Sequence, residues 1–262
     1  MLNTALLLAA TGAASLFLMM FFLWWTSLRL RNAGIVDVGW ALGLVVLAIG
    51  YALRAPGFAE RKWMMAGMVA FWGLRLALHL AVRISHEPED GRYQELRRRW
   101  QGGNINLRFL VFFEIQALLD VVLSLPMLMA ALNPAPRLGV LEFAGIGLWL
   151  VALAGESIAD AQLAAFKRDA ASKGRVCRRG LWNYSRHPNY FFEWLVWVAW
   201  AIYALASPWG WLALICPAVM LFFLCRVTGI PATEAQALRS RGREYEEYQR
   251  TTSAFVPWVR RT

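Results

Sequence analysis

The chain has 262 residues, of which 59% are hydrophobic and 17% charged, whereas soluble globular proteins average roughly 45–50% apolar and ~25% charged residues. This balance excludes an intrinsically disordered chain and disfavours a soluble two-domain protein. The formal net charge of +10 occurs in nucleic-acid-binding proteins, but a Lys/Arg excess is also typical of cytoplasmic loops of membrane proteins. The cysteines, Cys177, Cys216 and Cys225, form no CxxC pair, so we expect neither a disulfide framework nor a metal site.

Seven segments are apolar enough to be predicted as transmembrane helices. They are residues 1–28, 35–53, 63–82, 109–132, 138–159, 190–206 and 209–225. The first segment lacks the basic start of a signal peptide, so we expect it to be retained as a span. The predicted fold class is therefore an all-α integral membrane protein with seven transmembrane helices in one domain, 1–262.

The distribution of positive charge predicts the orientation of these spans. Of the 27 Lys and Arg residues, 22 follow the odd-numbered spans, four follow the even-numbered spans, and Arg75 lies within a span. Positive residues are retained on the cytoplasmic side. We therefore expect the N-terminus outside and the C-terminus in the cytoplasm of a bacterium's inner membrane, and the net charge gives no reason to expect nucleic-acid binding.

Ionisable residues within predicted spans are candidates for a functional site, because they are costly in lipid. Arg75, His79 and Arg83 recur every four residues, which places them on one face of the third span. Guanidinium groups bind phosphate well, so this face suggests a phosphate path. The structural alternative is a set of salt bridges to Asp37, Glu114 or Asp120.

The segment 160–194 between the fifth and sixth spans combines seven cations with an Arg-His-Pro-Asn-Tyr run. Pro188 suits the first turn of a helix, whose free N–H groups would face an anionic ligand. Asn189 and Glu193 then share one face, where an amide and a carboxylate can bind ribose hydroxyls or a carboxamide. Tyr184 and Tyr190 add ring faces and hydroxyls.

The C-terminal half resembles the C-terminal domain of the membrane-bound steroid 5α-reductases (3-oxo-5α-steroid 4-dehydrogenases). The resemblance rests on the GLWNYSRHPNYFFE segment, the upstream Asp160-Ala-Gln and the tail from Tyr245 and Tyr248 to Pro257. The NAGIVDVGW, WGLRLALHL and EDGRY stretches resemble bacterial members of that family. Sterol C14- and Δ7-reductases share the RHPNY core. Isoprenylcysteine and phospholipid methyltransferases carry a similar run with an E...Y..Y tail, which Glu234, Tyr245 and Tyr248 also fit.

The resemblance implies NADPH as the cofactor, bound without a Rossmann fold, and the chain has no GxGxxG motif. It implies that residues 1–108 carry substrate-side groups and that 109–262 mainly bind the cofactor. The expected cofactor-binding residues are Arg75, Arg83, Arg92, Asp160, Lys167, Arg175, Arg179, Tyr184, His187, Asn189, Tyr190, Glu193, Arg226, Tyr245 and Tyr248. S-adenosylmethionine needs no such dense cationic lining, so a reductase is favoured over a methyltransferase or a non-enzymatic sterol- or lipid-binding protein.

The implied reaction is reduction of the conjugated C=C bond of a 3-oxo-Δ4-steroid-like enone, with hydride added to the β-carbon and the carbonyl polarised. In the family a carboxylate and a tyrosine from the N-terminal spans bind the 3-oxo group. Here the third span offers His79 without a tyrosine, and the second offers Asp37, so we expect His79 to be the donor and Asp37 to orient it. Glu114 is the alternative carboxylate. We expect a monomer whose partners are a lipophilic substrate and membrane lipids.

Overall fold

A computed structural model describes residues 2–260, and those residues form helices joined by turns and loops, without β-strands. Met1, where the first predicted span begins, and Arg261, which is counted in the charge asymmetry, lie outside the described residues. The helices are α1 (Leu2–Leu30), α2 (Ile35–Arg54), α3 (Ala59–His86), α4 (Gly91–Arg99), α5 (Ile105–Leu123), α6 (Leu125–Leu132), α7 (Val140–Arg168), α8 (Pro188–Ala204), α9 (Ile215–Phe222), α10 (Ile230–Arg241) and α11 (Arg243–Thr251).

Within residues 2–260, six helical segments are long and apolar enough to cross a membrane, and the protein is an integral membrane protein. They are Leu2–Leu30, Ile35–Arg54, Ala59–His86, Ile105–Leu132, Val140–Arg168 and Gly210–Arg241. The predicted sixth span is the helix α8, which begins at Pro188 as expected and is 17 residues long. The all-helical class is confirmed, and the count of seven spans stays a prediction.

The predicted fourth span is interrupted between α5 and α6. Ser124 separates the two helices, and Pro126 is in the first turn of α6. Proline has no backbone N–H and its ring clashes with the carbonyl four residues earlier. The interruption follows directly from this local chemistry.

The described residues divide into two compact units, residues 2–140 with 204–213 and residues 141–203 with 214–260. We call them unit 1 and unit 2. This division differs from the functional partition at residue 108 predicted above, and that partition stays a prediction.

Unit 1 is organised around α2, which packs against α1, α3 and α5. Small residues allow these close approaches: a Cβ on Gly73 of α3 would lie 2.5 Å from the Val45 side chain and 3.0 Å from the Ala41 carbonyl oxygen. Arg61, only 2% exposed, donates to the carbonyl oxygens of Asn133 and Ala135 at 3.3 and 2.6 Å. The start of α3 is thereby tied to the turn after α6.

Unit 2 contains α7 and most of α8, followed by α9, a π-helical turn (Phe223–Val227), α10 and α11. Gly145 and Gly155 let α7 and α8 pack closely, because a Cβ on Gly155 would lie 2.4 Å from the Phe192 ring. The segment between these two helices packs on the C-terminal helices through a small core of Val176, Ala237, Tyr245 and Tyr248.

Candidate functional site

The carboxylate of Glu234 in α10 binds the residues that precede α8. It accepts hydrogen bonds from Arg186 Nε at 2.7 Å and from Gln249 Nε2 at 2.7 Å. His187 Nε2 lies 3.2 Å from the same carboxylate and must donate there, since an ionised carboxylate only accepts. Arg186 and Glu234 are 10% and 15% exposed. This largely buried ion pair therefore orders the Arg-His-Pro run at the start of α8.

The C-terminal tail is bound to the same segment by hydrogen bonds from side chains to backbone carbonyl oxygens. The Tyr248 hydroxyl is directed at the carbonyl oxygens of Trp182 and Ser185. Ser185 Oγ donates to the Phe255 carbonyl oxygen at 2.8 Å. Tyr248, expected to bind the cofactor, thus holds the backbone of the RHPNY segment, and Tyr245 is buried beside it.

A polar row follows along α8. Asn189 Nδ2 donates to Asp160 Oδ1 of α7 at 3.2 Å, and Glu193, one turn later, accepts from Trp197 Nε1 at 3.0 Å. Among residues 2–260, no donor reaches the buried Oδ1 of Asn189. A buried acceptor without a donor costs about 1–3 kcal/mol. The row is consequently incomplete, and a ligand N–H or O–H would satisfy it.

Beside this row, His187 and Tyr190 stack their rings. The ring centroids are 5.3 Å apart with an interplanar angle of 6°, and the Tyr190 hydroxyl is 3.1 Å from Thr233 Oγ1. His187 is 3% exposed, so its ring is a buried part of the helix start. Tyr184 is 47% exposed.

The expected phosphate-binding cations of unit 2 lie on its surface. Lys167, Arg175, Arg179 and Arg226 are exposed, and the Arg179 guanidinium lies 5.8 Å from the centre of the Phe166 ring. In the described chain, no carboxylate forms an ion pair with any of the four. Their positive charge is therefore available to an anionic ligand.

In unit 1, two other expected cations are neutralised within the protein. Arg92 Nη2 donates to Asp37 Oδ2 at 3.0 Å and Arg92 Nε to Asp90 Oδ1 at 3.0 Å. Arg83 Nη2 lies 3.4 Å from Asp90 Oδ2 and 3.9 Å from Asp37 Oδ2. The Tyr93 hydroxyl completes this cluster with a 2.6 Å hydrogen bond to Asp37 Oδ1. We call these five residues the Asp37 cluster.

The electrostatics of the Asp37 cluster follow from burial and charge. Burial by itself raises the pKa of Asp90, but the hydrogen bond from Arg92 and the charges of Arg92 and Arg83 lower this pKa below its ordinary value. Burial, reinforced by the negative charge of Asp37, raises the pKa of Tyr93 well above its ordinary value. Tyr93 is therefore a protonated donor and Asp90 an ionised acceptor at neutral pH.

Comparison with protein families decides where the chain belongs. The sequence profile of DUF1295, described as a protein of unknown function, matches residues 23–252. The chain belongs to the DUF1295 family. This family includes steroid 5α-reductase-like membrane proteins. Comparison with curated proteins and with solved structures gave no significant match.

In this DUF1295 protein, no contact between described residues joins the three expected catalytic residues, His79, Asp37 and Glu114. His79 is exposed on α3, and Arg75 and Arg83 on the same face are partly buried. Asp37 is bound by Tyr93 and Arg92, and no contact between described residues joins it to His79. Asp37 is paired with Tyr93 because the first turn of α2 lies beside α4, and the orientation of His79 by Asp37 stays a prediction.

Two further carboxyls of unit 1 have buried oxygen atoms. Glu114 Oε2 and both carboxyl oxygens of Asp120 have no hydrogen-bond partner within residues 2–260. Asp120 is fully buried, and a Cβ on Gly43 would lie 2.4 Å from its Oδ2. Glu114 thus stays a candidate for the alternative carboxylate.

The sequence did not predict that Tyr93 binds Asp37 or that Glu234 binds Arg186. Tyr93 belongs to the EDGRY stretch and Glu234 to the E...Y..Y tail, and those motifs were the available signals. Their partners Asp37 and Arg186 lie 56 and 48 positions away. Motif spacing carries no information about contacts at such separations.

Proposed function

We propose that this protein is an NADPH-dependent membrane reductase that reduces the conjugated C=C bond of a lipophilic, steroid-like enone. The observation that carries this proposal is the incomplete polar row at the start of α8. The buried Oδ1 of Asn189 accepts no hydrogen bond, and its amide is oriented by Asp160. Nicotinamide carboxamides and ribose hydroxyls offer donors of the kind this acceptor lacks.

The residues of unit 2 fit a phosphorylated dinucleotide in a second respect. Lys167, Arg175, Arg179 and Arg226 are exposed cations, and NADPH brings three phosphates that cations or N–H groups must offset. Asn189, Asp160 and Glu193 would bind the polar end of the cofactor, and these cations would bind its phosphates. When bound, NADPH supplies the hydride.

The substrate carbonyl requires a donor where negative charge develops. The sequence predicts that His79 donates a hydrogen bond to this carbonyl. The Tyr93–Asp37 pair supports Tyr93 as an alternative donor, since the resemblance implies a carboxylate and a tyrosine at the carbonyl. The Tyr93 hydroxyl is held at 2.6 Å from Asp37 and remains protonated at neutral pH because its pKa is raised. A carbonyl oxygen would compete with Asp37 for this proton donor, and Glu114 remains the alternative carboxylate.

The proposal includes the membrane arrangement. Seven spans, an outside N-terminus and a cytoplasmic C-terminus would put the cations of segment 160–188 in the cytoplasm, where NADPH is found. The charge asymmetry of 22 to 4 supports this orientation. The protein would then work as a monomer in the bacterial inner membrane.

The test is equilibrium binding to the purified, detergent-solubilised protein, using NADPH fluorescence and competition by NADH and S-adenosylmethionine. We expect NADPH to bind most tightly of the three cofactors. Asn189→Ala should weaken NADPH binding roughly tenfold through the lost hydrogen bonds. Asn106→Ala, at an exposed site of unit 1, should leave NADPH binding unchanged. Oxidation of NADPH with a 3-oxo-Δ4 steroid then tests the reaction.

Other binding results would redirect the assignment. Binding of S-adenosylmethionine without either dinucleotide would favour a methyltransferase of the isoprenylcysteine or phospholipid type. Binding of a sterol or lipid without any of the three cofactors would favour a non-enzymatic protein. Reduction of a Δ14 or Δ7 sterol in place of the enone would favour the sterol-reductase alternative.

A further inference from the structure

A groove between α1 and α2 lies apart from the residues used above. It is formed by residues 8–15 of α1 and 45–54 of α2 and has a volume of about 290 Å³. Its walls are mainly aliphatic, with Leu8, Leu47 and Ile49 among them, and Gly50 opens one side. Small-molecule sites have volumes of roughly 300–1,000 Å³, so the groove suits one slender apolar group.

The hydroxyl groups that line the groove are already occupied by the protein. Thr11 and Ser15 donate to carbonyl oxygens of their own helix at 3.1 and 2.9 Å. The Tyr51 hydroxyl is 3.1 Å from Ser124 Oγ. Because Ser124 itself donates to the Val121 carbonyl oxygen at 2.8 Å, Tyr51 is the donor of that pair. An occupant therefore meets no free hydroxyl hydrogen along the groove, and the mainly aliphatic walls favour an apolar occupant over this length.

One end of the groove is cationic. Arg54, the last residue of α2, lines the groove and is exposed. Its neighbours in sequence are used by the protein, since Arg61 donates to backbone carbonyls and Lys62 Nζ donates to the Ala55 carbonyl oxygen at 2.7 Å. Within the described chain, Arg54 forms neither an ion pair nor a side-chain hydrogen bond. Its charge is available to an anionic group at the end of an apolar chain.

We propose that this groove binds an acyl chain of an anionic phospholipid and that Arg54 binds the phosphate of its headgroup. In a bilayer the hydrophobic effect does not favour one apolar environment over another, so the chain contributes packing contacts only. Selectivity then comes from the net charge of the headgroup, because a zwitterionic lipid carries a cation beside the same phosphate. One Arg near the membrane surface favours an anionic lipid by about fivefold. This inference is independent of the proposed reductase activity.

The test is native mass spectrometry of the full-length protein in detergent, titrated with phosphatidylglycerol or phosphatidylcholine of identical chains. We expect wild type to bind phosphatidylglycerol about fivefold more tightly. Arg54→Gln should abolish the preference, whereas Arg137→Gln, which removes another exposed cation, should keep it. Gly50→Leu should lower the bound lipid, because a Cβ at Gly50 points into open space.

Gly67→Leu is the matched control, since a Cβ at this α3 position also meets nothing within 4 Å and the residue does not line the groove. If Gly50→Leu is not monodisperse, Ile49→Trp fills the same groove from its exposed rim. The proposal would be overturned by equal binding of the two lipids to wild type or by an unchanged preference in Arg54→Gln. It would also be overturned if Gly50→Leu and Ile49→Trp both retained the lipid in full. Displacement of the lipid by a 3-oxo-Δ4 steroid in wild type but not in Gly50→Leu would assign the groove to that ligand instead.

Discussion

The Tyr93 hydroxyl donates a 2.6 Å hydrogen bond to the Asp37 carboxylate, joining α4 to the first turn of α2 across 56 positions of sequence. Tyr93 is 3% exposed, so the bond lies in a protected part of unit 1. Arg92 and Arg83 supply positive charge to the same carboxylate. The hydrogen bond to the charged carboxylate thus holds α4 against α2. Tyr93 and Asp37 are therefore the first residues to mutate.

Tyr93→Phe should destabilise the protein by about 1.5–3 kcal/mol, the usual contribution of a hydrogen bond to a charged group. The unfolding temperature in detergent, measured by tryptophan fluorescence, should fall by several degrees. Tyr184→Phe, at an exposed tyrosine, is the control and should have no effect. An unchanged unfolding temperature in Tyr93→Phe would contradict a stabilising role for the pair.

The stability of unit 1 should depend on pH through Asp90. Because the folded-state pKa of this carboxyl is lowered, its ionised form contributes stability above the unfolded pKa of about 4. That contribution is lost as the pH falls through the lower, folded-state pKa. We expect the unfolding temperature to drop more steeply below pH 4 in wild type than in Asp90→Asn, which keeps an N-cap acceptor for Arg92. Parallel curves would show that Asp90 has no such role, and Glu87→Gln serves as the exposed control.

Removal of the Glu234 carboxylate should be strongly destabilising. Glu234→Ala leaves the largely buried Arg186 and His187 without their acceptor, and breaking a buried ion pair costs about 3–5 kcal/mol. Glu234→Gln should cost less, because an amide oxygen still accepts one hydrogen bond. Glu246→Gln, at an exposed position of α11, is the control. Unfolding temperatures of the three variants should follow this order, and equal values would argue against the assignment.

Two glycines of α7 should differ sharply in their tolerance of alanine. A Cβ on Gly145 would lie 2.8 Å from the Ala199 carbonyl oxygen, whereas one on Gly147 meets nothing within 4 Å. Gly145→Ala should cost about 1–3 kcal/mol through overpacking, and Gly147→Ala should be neutral or slightly stabilising. Detergent unfolding curves of the two variants compare them directly. Equal stability would contradict the close packing of α7 on α8.

The proposed orientation predicts which sites an impermeant maleimide reaches in intact cells. Single cysteines introduced at Pro134 should react from outside, whereas cysteines at Arg98 and Lys173 should react only after the cells are opened. The parent protein with its native cysteines gives the background. Reaction of the cysteines at Arg98 and Lys173 from opposite sides of the membrane would exclude the seven-span topology.

The sequence was sufficient to predict the long apolar helices and the start of α8. Hydropathy runs of about 20 residues predict spanning helices because a backbone in lipid must satisfy its own hydrogen bonds. Pro188 predicts the start of α8 because proline suits a first helical turn, and α8 begins there. The spacing of Asn189 and Glu193 correctly places both on one helical face, since the helix repeats every 3.6 residues.

Only the tertiary structure decided which polar side chains meet. Helical periodicity assigns a residue to a face of its own helix, but it carries no information on which distant segment packs there. Thus Asp37 could not be matched to Tyr93, nor Glu234 to Arg186 and His187, before the helices were packed. The same packing separated cations that the sequence treats alike: Arg83 and Arg92 are neutralised by Asp37 and Asp90, whereas Lys167 and Arg175 remain exposed, because carboxylates reach the first pair and not the second.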